Sequence, residues 1–138
     1  MFKWLKRRST MNFGLHFMLD GYGAPKSILK DEELIKNMLQ TIPGELGMYA
    51  ITDPIVVEVG PNNKKDPGGI SGMVLIAESH ISVHTFPNRA FVTLDVYTCQ
   101  DTLDTKSLIE KFQHHLQFNS FEKHLIKRGV RYPNRDTQ

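Results

Sequence analysis

The chain has a single cysteine, Cys99, so no disulfide can close within it, and a reducing, cytoplasmic setting is the natural expectation. It has no apolar run near the roughly 20 residues that a bilayer-spanning helix needs, which argues against a membrane-spanning protein. It also lacks a charge bias. With histidines neutral the net charge is +2, which gives no reason to expect nucleic acid as a partner. Aromatics make up only 9%, and 138 residues are too few for two independent cores. What remains is one soluble domain of ordinary composition, without an internal repeat.

Residues 1–10 are basic with interleaved aromatics and lack the apolar core and cleavage site of a signal peptide. They are expected to form a flexible basic extension ahead of a domain over 11–138. From Met11 to Leu19 the pattern predicts a first strand, closed by the turn residues 20–23. Asp31 can cap a helix whose apolar positions are Leu34, Ile35, Met38, Leu39 and Ile42, with Pro43-Gly44 ending it. Short strands are expected at 48–51 and 55–59, then a polar loop over 60–69. Strands at 72–78, 80–86 and 91–97 follow, with Pro87-Asn88-Arg89 turning between the last two. A second helix over 105–116 carries Leu108, Ile109, Phe112 and Leu116, and a last strand spans 121–126. This order predicts an α+β fold, a two-layer sandwich with both helices on one face of a largely antiparallel sheet. The other face must be wet or covered, and a dimer would cover it.

Taken one at a time, the reactive groups are unremarkable. A lone cysteine ending a strand is usually a small buried hydrophobe. His80 and His84 can share a strand face, but no acid or sulfur is spaced to complete a tetrahedral metal set, so no metal is expected. Gly68-Gly69 lacks the Gly-Lys-Ser/Thr that would make a phosphate cradle.

Their order says more. Gly69-Ile70-Ser71-Gly72, then Ala77-Glu78-Ser79-His80-Ile81-Ser82-Val83-His84-Thr85-Phe86-Pro87, then Asp95-Val96-Tyr97-Thr98-Cys99 resembles the S-adenosylmethionine decarboxylase proenzyme family, in its short bacterial and archaeal class. Gly14-Leu15-His16-Phe17-Met18-Leu19-Asp20 is similar to that family's first strand. The resemblance implies a pyruvoyl-dependent decarboxylase of polyamine biosynthesis. Such a chain cuts itself between Glu78 and Ser79 into a beta chain, 1–78, and an alpha chain, 79–138. Ser79 becomes the pyruvoyl group, which forms a Schiff base with the substrate amine. Ser71 and His84 match the processing residues, the first hydrogen-bonding the reacting centre and the second handling protons. Cys99 matches the thiol that returns a proton to the substrate carbon. The resemblance also implies a homodimer of processed protomers with sites near the interface.

Those roles agree with elementary chemistry. A serine hydroxyl is a weak nucleophile that needs a proton handler, and imidazole supplies one near neutral pH. Side chains alone cannot delocalise the carbanion left by departing CO2, and a pyruvoyl carbonyl can. The carbanion then needs a positioned acid, which a thiol can be. Ser79 and His84, five apart, should face opposite ways on a regular strand. Either a bulge intervenes or cleavage lets the serine end swing.

Two positions depart from the family pattern. The glutamate that normally follows His-Thr-aromatic-Pro and holds the substrate ribose is Asn88 here. The aromatic six before the processing serine falls on Lys65. Both changes strike adenosine recognition and spare the decarboxylation machinery. The expected substrate is therefore L-ornithine or L-arginine, giving putrescine or agmatine, with S-adenosylmethionine and spermidine supply as the alternative. A distal cation should meet an acid, with Asp20 and Asp66 as candidates. A non-catalytic regulatory paralogue is the competing reading from another class.

Overall fold

A computed structural model describes residues 10–62, 65 and 67–137, so residues 1–9 of the expected extension and Asp66 lie outside the described residues. The strands are β1 (Thr10–Met11), β2 (Gly14–Tyr22), β3 (Ile55–Val59), β4 (Gly69–Ile76), β5 (Ser79–Phe86), β6 (Phe91–Thr98), β7 (Ser120–Arg128) and β8 (Tyr132–Pro133). The helices are α1 (Lys26–Leu29), α2 (Glu32–Glu45) and α3 (Thr105–Leu116). Six strands form one sheet in the order β3-β4-β5-β6-β2-β7, with every neighbouring pair antiparallel. β1 and β8 pair separately. The α+β sandwich is as expected.

Period-two alternation sorts each central strand. Phe17 and Leu19 of β2, Val74 of β4, Ile81 and Val83 of β5, and Val92, Leu94 and Val96 of β6 are buried against one layer of helices. α2 contributes Ile35, Met38, Leu39 and Ile42 to this core, and α3 contributes Leu108, Ile109, Phe112 and Leu116. Asp31 caps α2 by accepting from the Leu34 N–H at 3.1 Å, and Asp104 caps α3 through the Ser107 N–H at 3.0 Å.

Several local expectations need correcting. The first strand starts later and runs through Asp20, Gly21 and Tyr22, because β6 and β7 pair with it along its length. The turn is left to Gly23, whose φ is +75°. α2 continues past Pro43 to Glu45, since a proline in the last turn removes one backbone hydrogen bond while its buried ring packs in the core. Residues 48–51 are loop. Tyr49 and Ile51 are exposed, and the Ile51 N–H reaches the Leu75 carbonyl at 2.9 Å without building a ladder. α1 has no counterpart in the sequence reading, being a single turn too short to show a period.

Among the described residues, no helix covers the sheet face away from α2 and α3. This open face carries Ile55, Val57, Met73, Leu75 and Ile126, all exposed. It also carries charge. His16 Nε2 lies 2.9 Å from Asp95 Oδ1, Arg128 sits 5.0 Å over the Tyr97 ring, and Tyr22 donates to Glu122. Asp20 belongs to this face. Partial burial, then the Glu122 carboxylate and more weakly that of Asp95, raise its pKa above 3.8, with His124 opposing.

Two outcomes follow from this layout. Phe112→Ala empties a fully buried site and should lower stability by about 3–5 kcal/mol in urea unfolding. Asp20 binds its proton more tightly folded than unfolded, so its ionisation costs stability as pH rises through that raised pKa, and the full cost is present above it. Asp20→Asn should therefore be the more stable protein at pH 7. That advantage should vanish below about pH 4 in unfolding curves run against pH.

Candidate active site

The β4–β5 hairpin closes in two residues. Ile76 pairs with Ser79, and Ala77 and Glu78 form the turn. Ala77 has φ +46°, a left-handed backbone that costs a residue with a Cβ roughly 1–2 kcal/mol. Ser79, the first residue of β5, points to the helix side and is 5% exposed. Its Oγ accepts a hydrogen bond from the Cys99 N–H at 3.1 Å. β6 ends at Thr98 beside the start of β5, and the Thr98 hydroxyl accepts from the Gln100 N–H at 3.1 Å, bracketing Cys99. The Cys99 thiol is exposed and lies 4.0 Å from Glu78 Oε2. Glu78 and Ser79 thus form one cluster with Cys99, which lies 20 residues beyond Ser79 in sequence.

Ser71 and His84 form another. They are directly opposite on β4 and β5, on the open face, with Ser71 Oγ 2.8 Å from His84 Nδ1. That contact occupies Nδ1 and leaves Nε2 to act. β5 pairs in unbroken register with β4 and β6, so no bulge turns His84 toward Ser79. The five-residue step is about 17 Å along the strand and ends on the opposite face. One protomer does not bring the two clusters together.

Past the end of β5, Asn88 lines a cavity of about 260 Å³ with Lys26, Lys30, Glu58, Pro67 and Gly69 among its walls. Thr85 positions this region. Its hydroxyl donates to the Leu29 carbonyl at 2.6 Å and accepts from the Ile70 N–H at 3.0 Å, tying α1 to the ends of β4 and β5. Lys26, Lys30 and Glu58 escaped the sequence reading because charged residues on a short helix and an edge strand look like ordinary solvated positions. Lys65 is exposed on the loop that follows β3. Asp20 shares a cross-strand row with His84 through Thr93, two strands and about 10 Å away.

Residues 15–129 match the family described as S-adenosylmethionine decarboxylase. The S-adenosylmethionine decarboxylase proenzyme of Archaeoglobus fulgidus is 29% identical over 120 residues, covering 86% of this chain and all of that one. The proenzyme of the same name from Pyrobaculum neutrophilum is 38% identical over 97 residues, covering 70% of this chain and 73% of that one. Among solved structures, the adenosylmethionine decarboxylase of Aquifex aeolicus superposes with a TM-score of 0.74 at 26% identity, over 93% of this chain and 99% of that one. With the fold and these matches in agreement, the chain belongs to the S-adenosylmethionine decarboxylase family and is a carboxy-lyase.

Proposed function

We propose that the chain cleaves itself between Glu78 and Ser79 and acts as a homodimeric decarboxylase of S-adenosylmethionine, supplying aminopropyl groups for spermidine. The observation that carries this reading is the Cys99 N–H held 3.1 Å from a nearly buried Ser79 hydroxyl at the tip of a strained turn. In the cleavage, Ser79 Oγ bonds to the Glu78 carbonyl carbon, the C–N bond breaks, and the hydroxyl proton moves to the nitrogen. Loss of the Ser79 α-proton then expels the Glu78 carboxylate, and water hydrolyses the resulting dehydroalanine to a pyruvoyl terminus and ammonia. Ser79 fits that conversion, for its nearly buried hydroxyl follows the Glu78 carbonyl directly and is held by the Cys99 N–H. The pyruvoyl group supplies an electron sink for the decarboxylation. Cys99, exposed beside it, holds the proton that the product carbon takes. A free thiol in that role fits a reducing, cytoplasmic compartment.

The separation of the two clusters supports the homodimer. The scissile peptide lies at the tip of the β4–β5 hairpin, where Ala77 and Glu78 are exposed. A second copy packed on the open face, running antiparallel, would bring a second His84 toward the Glu78–Ser79 peptide of the first and would bury Ile55, Val57, Met73 and Leu75, all exposed in one protomer. His84 then serves as the proton handler, with Ser71 fixing its ring.

S-adenosylmethionine is favoured by the names of the relatives and by the charge beside Asn88. Lys26 and Lys30 face only Glu58 among the charged residues lining that cavity, so the far end of a substrate is better uncharged, as a nucleoside is, than cationic. L-ornithine or L-arginine is the second reading. Its support is Asn88 in place of a ribose-binding carboxylate, Lys65 in place of a stacking ring, and Asp20 in line with His84 as an acid for a distal cation.

Denaturing mass spectrometry should find a fragment ending at Glu78 and another beginning with a blocked residue 79, and Ser79→Ala should leave only the full chain. A wild-type chain that stays whole on incubation would favour a regulatory paralogue instead. Cys99→Ala should still process but lose about 10²–10⁴-fold in kcat. The His84→Ala chain should be cleaved only when co-expressed with the Ser79→Ala chain, which lends it an intact His84; no rescue would place the site within one protomer. Release of CO2 from S-adenosylmethionine, L-ornithine and L-arginine, measured side by side, tests the substrate. Preferential turnover of either amino acid would replace the first reading with the second.

A further inference from the structure

We infer that Ala77 is a positioning residue for self-cleavage, its left-handed backbone making the turn that carries the scissile bond easier to open. The inference rests on the cleavage proposed between Glu78 and Ser79.

Two-residue hairpin turns with a positive φ at their first central residue are glycine positions, because a Cβ there crowds its own backbone. Of the two central residues here only Ala77 has a positive φ, at +46°, and it carries a Cβ. The turn has no freedom to adjust at either end. Ile76 is held by its pairing to Ser79 and is buried, and β4 and β5 continue in register down to Ser71 and His84. On the far side of the bond, the Cys99 N–H fixes the Ser79 hydroxyl. Strain at Ala77 is therefore confined to the Glu78–Ser79 linkage instead of spreading along the strands.

The first chemical step relaxes this geometry. In the amide, one atom, the Ser79 nitrogen, links the Glu78 carbonyl carbon to the Ser79 Cα. After Oγ bonds to that carbon and the C–N bond breaks, with the hydroxyl proton passing to the nitrogen, the link runs through Oγ and Cβ. The turn gains one atom of length while its two ends stay pinned, so Ala77 can leave the left-handed region. An ordinarily unfavourable amide-to-ester shift is thereby pulled forward, and elimination of the Glu78 carboxylate completes the release.

Ala77→Gly removes the strain without altering the turn, and the test follows cleavage of the full chain against time by denaturing mass spectrometry. Cleavage should slow at least fivefold, with Ala77→Asn, whose side chain tolerates the left-handed region, falling between parent and glycine variant. In the uncleavable Ser79→Ala background, Ala77→Gly should unfold at no lower denaturant concentration than its parent. Cleavage as fast as the parent's would overturn the inference and leave self-cleavage standing. Slower cleavage accompanied by a loss of stability would overturn it as well, since Ala77 would then be holding the turn together only. A wild-type chain that never cleaves would remove the underlying reading, and this one with it.

Discussion

The unbroken pairing of β5 between β4 and β6 governs where every reactive group stands. With no bulge, odd-numbered residues of β5 point into the core and even-numbered ones onto the open face. Ser79 is thereby buried beside Cys99, and His84 is exposed beside Ser71. One strand carries Ser79 and His84, the proposed reacting serine and proton handler, at opposite halves and on opposite faces. In the proposed homodimer the open face has a use, because a second sheet laid across it would close the distance that one protomer leaves.

The helix layer serves the same geometry from behind. Ile81 and Val83, between Ser79 and His84, lie fully buried against it and keep β5 straight. Farther along, Thr85 spends its hydroxyl on the Leu29 carbonyl and the Ile70 amide, which leaves the end of β4 very close to β5. A Cβ at Gly69 would lie 1.8 Å from the Thr85 carbonyl oxygen, so only glycine fits there. The cavity at Asn88 is thus built on buried hydrogen bonds, while its charged walls, Lys26, Lys30 and Glu58, hang on short or peripheral elements. Walls of that kind can change without disturbing the core that positions Ser79 and Cys99.

Legibility from sequence followed the length of the pattern. The apolar spacing of α2 and α3 and the alternation of β4, β5 and β6 repeat over several turns or pairs, so their existence and buried faces could be read directly. The limits of elements could not. Whether Asp20-Gly21-Tyr22 is turn or strand depends on β6 and β7 lying alongside, and whether Pro43 ends a helix depends on the core packing around its ring. The expected strand at 48–51 failed because apolar residues alone do not make a strand without a partner ladder. The proposed reactive residues are suggested only by their order along the chain, for neither Cys99 nor His84 is distinctive by itself.

The sequence by itself determined the chemistry available: a serine after Glu78, a single thiol twenty residues on, a serine and a histidine that can pair, and the parity that sets Ser79 and His84 on opposite faces. These are properties of residue identity and of a two-residue repeat, and both are written in the chain. Only the tertiary structure decided which of those groups meet. Cross-strand register joined Ser79 to Cys99 and Ser71 to His84, kept the two pairs about 17 Å apart, and gathered Lys26, Lys30 and Glu58 around Asn88. Such meetings depend on long-range pairing between segments whose separation in sequence carries no trace of it.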